Sequence, residues 1–196
     1  QPFVIMTFRA PPLRDPEKDW EPYALKMLAA VLSGDDAARL DRNLVREQRV
    51  ASGADASYDG IARGPDFFFL SAIPSVGRSA AEVGQGLRSE MAKIIDAGVT
   101  EEELNRAKAQ AISSEVYQRD SMMFQARVIG VLETTGLSHR TAEVQLRKLR
   151  EVTAEQVREV ARKYFRDDIL TIAYLDPQPV KDKPAAKPPS GLRHAQ

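Results

Sequence analysis

Between residues 79 and 156, a hydroxyl residue is followed three positions on by Glu or Gln in three places: Ser79 with Glu82, Thr100 with Glu103, and Thr153 with Gln156. In each pair the hydroxyl accepts from the backbone of the later residue, and the longer side chain reaches back to the first N–H. Two donors that a helix start leaves unpartnered are satisfied together. Three helix starts are therefore marked, and apolar residues recur at helical spacing between them. Leu104, Ala107, Ala111 and Ile112 form one stripe, and the pattern predicts helices over 101–135 and 138–150.

A helical block of this kind needs a second layer to bury its stripes, and the flanking segments carry a different period. FVIMTFRAP, residues 3–11, is β-branched and aromatic and closes at a proline pair, as a strand does. PPLRDPEKDWEP is a loop. Pro22 then suits the first turn of a helix in which Ala24, Leu25, Leu28, Val31 and Leu32 recur up to Gly34. Asp35 is placed to cap a second helix carrying Leu40 and Leu44. From Val50 the period becomes two, with Val50, Ala54, Ala56 and Tyr58 on one face and Gly53, Asp55, Ser57 and Asp59 on the other. DFFFLSAI, 66–73, is apolar on both faces and reads as a central, buried strand, and ILTIAYL, 169–175, as the last strand.

Strand and helix are thus segregated rather than alternating. The expected fold class is α+β, a mainly antiparallel sheet with helices packed on one face. With 196 residues the chain is the size of one domain, taken as 1–177, followed by a Pro- and Lys-rich tail, 178–196, with little to bury.

Composition narrows the functions. The 28 basic and 28 acidic residues cancel, so no broad field draws nucleic acid or an anionic membrane. No apolar run approaches a membrane span. The lack of cysteine removes disulfides, thiolate metal sites and a cysteine nucleophile, and leaves the compartment open. The histidines are His139 and His194. His139 with Glu143 could share a helix face, yet two ligands do not make a zinc site, and an exposed helix-start histidine is the plainer reading. Ser52, Ser57 and Ser71 lack a G-x-S-x-G setting, which argues against an independent serine hydrolase. The glycines of GQG at 84–86 lie within a helical pattern and fit close helix packing better than a phosphate cradle, and Met122, Met123 and Phe124 read as core filling before a docking patch.

Three stretches carry a resemblance. FVIMTFRAPP, YALKMLAAVLSG and ARLDRNLVREQRVA come first, then GRSAAEVGQGLRSEMAKIIDAGVTEEELNRAKAQ, then LREVTAEQVREVARKYF with ILTIAYLDP. In this order and spacing the chain resembles the non-catalytic half of pitrilysin- or insulinase-type zinc metallopeptidases, the group that includes mitochondrial processing peptidase. The resemblance implies a shell of homologous α+β domains in which a zinc-carrying domain bears H-x-x-E-H, two imidazoles one helical turn apart with a glutamate as general base. This chain has no H-x-x-E-H, so no cofactor is expected in it and zinc is expected in a homologous partner domain. The implied partners are that domain, upstream on one polypeptide or on a separate subunit, and a peptide substrate. A start at a strand without methionine fits an upstream H-x-x-E-H domain, and relatives of this kind suggest a bacterial periplasm or envelope.

In the helper half of many relatives the helix-to-strand junction carries an Arg and, seven residues on, a Tyr that reach the partner's site, where both donate to developing negative charge. Aligning LVREQRVAS on that pattern places Val45 and Ser52 at those positions, and neither can do that job. Arg46, Arg49, Ser52 and Tyr58 are the candidate substrate-binding residues by proximity, against a plainer reading in which the arginines form a solvated face with Asp41 and Glu47. No catalytic residue is expected in this chain. The competing reading is a structural scaffold that keeps the peptidase-like fold without assisting proteolysis.

Overall fold

The computed structural model describes residues 1–178, so the tail beyond them lies outside the described residues. Four strands, β1 (Phe3–Ala10), β2 (Ala51–Ser57), β3 (Asp66–Pro74) and β4 (Leu170–Leu175), form one antiparallel sheet in the order β2-β3-β1-β4. The fold is α+β. Helices α1 (Glu21–Ser33), α2 (Ala80–Ala97) and α6 (Ala154–Tyr164) pack near the sheet, with α3 (Glu101–Gln118), α4 (Met122–Thr135) and α5 (Thr141–Glu151) beyond them.

The three capping boxes form as the sequence predicts. Ser79, Thr100 and Thr153 each accept from the backbone three residues on, while Glu82, Glu103 and Gln156 reach back. The helical faces they orient press on inward strand residues. Val4, Met6 and Phe8 of β1 and Phe68 and Leu70 of β3 are buried against Leu25, Leu28, Val83, Leu87 and Val160. Phe165, just after α6, sits over the sheet with its ring 5.0 Å from Phe8 and 5.0 Å from Phe68. Burying rings in this way contributes area and edge geometry together.

Helix α2 lies close on its neighbours. A Cβ on Gly84 would stand 3.1 Å from the Tyr174 hydroxyl, and one on Gly86 would stand 3.0 Å from a Leu44 methyl. The GQG string is therefore a close-packing device. Gly98, φ +77°, takes the positive dihedral that turns α2 into α3.

Five expectations are corrected. Met122 and Met123 do not fill the core: both are largely exposed at the start of α4. The helix expected over 101–135 is broken: Arg119–Ser121 interrupt it, and the Ser121 hydroxyl caps α4 by accepting from Phe124 N. The second helix begins at Arg39 rather than at Asp35, whose carboxylate closes a turn by accepting from Ala37 N at 2.8 Å. From Asp41 to Glu47 this helix is wound as a wide π-type helix, with Gln48 N donating five residues back to Asn43 O at 3.0 Å. Strand β2 has a bulge between Ala51 and Gly53, so Ala51 rather than Val50 is the buried residue at its start, while Ala56 and Tyr58 are buried as expected. Lastly, the FFF strand is buried on one face only. Phe68 is enclosed, while Phe67 and Phe69 are 40% and 36% exposed on the side away from the helices.

Candidate functional site

The junction between the π-helix and β2 is held by two carboxylates from the helical layer. Glu90 of α2 is buried; it accepts from Asn43 Nδ2 at 2.6 Å and pairs with Lys93 Nζ at 2.6 Å. Glu103 of α3 is gripped by Arg39, whose Nε and Nη2 donate to its two oxygens at 2.8 Å each. The same guanidinium donates to Gly98 O at 3.0 Å. The Arg39 hydrogen bonds, aided by the Thr100 cap, hold the Glu103 carboxyl at about 2, well below its ordinary value. Leu44 fills the core between these anchors. The junction is thus rigidly placed although its outer residues are polar.

On this frame the candidate residues have different fates. Val45 is half-buried against the core. Arg46 is ion-paired with Asp41, Nε to Oδ2 at 2.6 Å, with Asp36 at 3.7 Å. Arg49 is exposed, with no ion pair among the described residues, and is the non-glycine residue there with positive φ, at +54°. Holding a Cβ-bearing residue in that region costs about 1–2 kcal/mol. Ser52 is exposed, with its hydroxyl 3.4 Å from the Ile73 and Pro74 carbonyls. Tyr58 is buried, stacked on Phe68 at 6.3 Å, with its hydroxyl donating to Pro11 O. Burial pushes its phenol well above the ordinary range. Six residues of extended chain separate the exposed Ser52 from the buried Tyr58, roughly 20 Å, so these two do not share one cleft.

A second feature was not anticipated from the sequence. The sheet face away from the helices carries Phe67 and Phe69, and the β1–β3 register sets them opposite Arg9 and Thr7. Ile5, Ala173 and Leu175 stand on the same face, paired through Ile5 to Ala173 and Phe3 to Leu175. The alternation that would betray an open face is hidden when three successive residues are all Phe. Strands β2 and β4 form the sheet's two edges.

No zinc site fits these residues. His139 Nδ1 lies 2.8 Å from Glu133 Oε1 rather than pairing with Glu143; the His139 backbone N–H, donating to the same oxygen at 2.8 Å, and then the ring lower the Glu133 carboxyl from its ordinary value. Among the described residues no three His, Asp or Glu side chains gather where they could hold a metal ion.

The family model of the peptidase M16 inactive domain matches residues 1–111. The chain belongs to that family. Solved structures agree on the fold of this M16 inactive domain over nearly the whole chain. A protease from Helicobacter pylori is 18% identical at a TM-score of 0.81 over 90% of this chain, which spans 41% of that protein. The inactive peptidase domain of a proposed zinc protease from Bordetella parapertussis is 18% identical with a TM-score of 0.78, covering 95% of both chains. A peptidase M16 inactive domain from Pseudomonas fluorescens is 18% identical with a TM-score of 0.69, covering 92% of this chain and 42% of that one. No curated protein matches the sequence. At these identities the structural likeness establishes fold, while the family model places the M16 inactive domain.

Proposed function

We propose that this domain is the non-catalytic part of a zinc metalloendopeptidase: it docks on a zinc-carrying homologous domain and forms one wall of the peptide-binding chamber. The observation that carries the reading is the open sheet face. Aromatic side chains left exposed on a sheet face, beside an edge strand, suit an extended apolar peptide or a partner surface better than bulk water. Among the described residues no donor set fits zinc, and in this reading bond cleavage is the work of the partner domain. At the junction, Arg49 is the side chain left available to a peptide carbonyl, because Arg46 is held by Asp41 and the Tyr58 hydroxyl by Pro11.

The scaffold reading has one observation in its favour: Val45 and Ser52 occupy the two donor positions of the helper pattern, and Val45 packs against the core. Fluorescence anisotropy with a labelled unfolded peptide separates the two. The chamber reading expects the complex of this chain with its H-x-x-E-H partner to bind the peptide more tightly than the partner alone. Equal affinities would favour the scaffold.

A further inference from the structure

We propose that the groove between α4 and α5 binds short peptides with apolar side chains and free termini. The groove encloses about 470 Å³, within the range of small-ligand sites. Phe124, Val128 and Ile129 of α4 and Ala142 of α5 supply its apolar lining. Around them stand two cations, Arg119 and Arg140, and two anions, Glu115 and Glu143. None of these four enters an ion pair among the described residues, whereas nearby His139, Arg147 and Lys148 all do.

The chemistry follows from that combination. A guanidinium receives a carboxylate through two parallel hydrogen bonds, and a carboxylate receives an ammonium. Free cations and free anions around one apolar floor therefore suit a ligand with both charges and an apolar body, as an unblocked dipeptide or tripeptide has.

The packing of α4 points the same way. Of the residues Met122–Thr135 only Leu132 is buried, and a helix of this length is marginal on its own in water. A ligand filling the groove would add the burial that α4 lacks. The groove lies among the helices, away from the open sheet face, so this site and the proposed chamber wall stand or fall separately.

The test is an amide NMR titration of the full chain with free Leu-Leu, then with its acetylated and amidated form. Free Leu-Leu is expected to shift α4 and α5 amides with a Kd below about 1 mM, and the blocked form to bind about 10-fold more weakly. The exposed double variant Arg119→Ala/Arg140→Ala should keep the melting temperature and lose about 10-fold in affinity. If that variant fails to fold, Glu143→Gln is expected to lose affinity for free Leu-Leu while leaving the blocked form unchanged. No shifts at about 10 mM, equal affinity for both forms, or binding indifferent to these variants would overturn the proposal.

Discussion

Arg39 and Glu103 meet as two parallel hydrogen bonds of 2.8 Å, joining the start of the π-wound helix to the capping box of α3. Their side chains are 11% and 10% exposed, so removing one partner leaves a charge with little access to water. Glu103→Gln is expected to destabilise the chain by about 3 kcal/mol, read by urea unfolding. The pH dependence has a definite sign. Glu103 titrates at about 2 in the folded chain against an ordinary 4.5, so its contribution is complete above pH 4.5 and is lost as pH falls toward 2. Stability of the wild type should decline through that window, and Glu103→Gln should remove that part of the decline.

Phe165 joins the two central strands through Phe8 and Phe68. Phe165→Ala leaves a cavity between α6 and the sheet and is expected to cost about 4 kcal/mol, seen as a lower denaturation midpoint with an unchanged slope.

How far the sequence foretold this depends on whether the signal is local. The capping boxes at Ser79, Thr100 and Thr153 were legible because both halves of each lie within one turn of chain. The break at Arg119–Ser121 was not, because Ser121 has Phe124 where an acidic partner would mark a box, and the apolar period runs on through it. The π-turns were hidden for a different reason: Leu40 and Leu44, four positions apart, share a face in an ordinary α-helix as well, so the apolar spacing carries no mark of the wider winding. Ala56 and Tyr58 on the inner side of β2 were readable from alternation. The open face at Phe67 and Phe69 depends on what does or does not cover the sheet, and no short-range pattern records that.

Arg49 combines exposure with a left-handed backbone. Arg49→Gly is expected to stabilise the fold by about 1 kcal/mol, since glycine adopts φ +54° without strain. In the assembled peptidase the same change is expected to lower peptide turnover. Arg46→Ala, which breaks the pairs with Asp41 and Asp36, should leave turnover unchanged. Steady-state kinetics of the three proteins decides this.

Tyr58 answers to the fold. Tyr58→Phe removes the hydrogen bond to Pro11 and leaves that carbonyl unpaired, a loss of about 1 kcal/mol. Thermal denaturation should show the loss, and turnover of the complex should not change.

Phe67 and Phe69 lie outside the core, so Phe67→Ser with Phe69→Ser should hardly alter the melting temperature. The same double change should weaken binding to the zinc-carrying domain or to peptide, measured by calorimetry. Retention of both affinities would remove the open face from the functional account.

The most direct measurement is peptide turnover by the H-x-x-E-H partner domain with and without this chain, together with turnover by this chain alone in added zinc. The account predicts no cleavage by the chain alone and a faster rate when the two are combined. Hydrolysis by the chain unaided, or identical partner rates in its presence and absence, would contradict it.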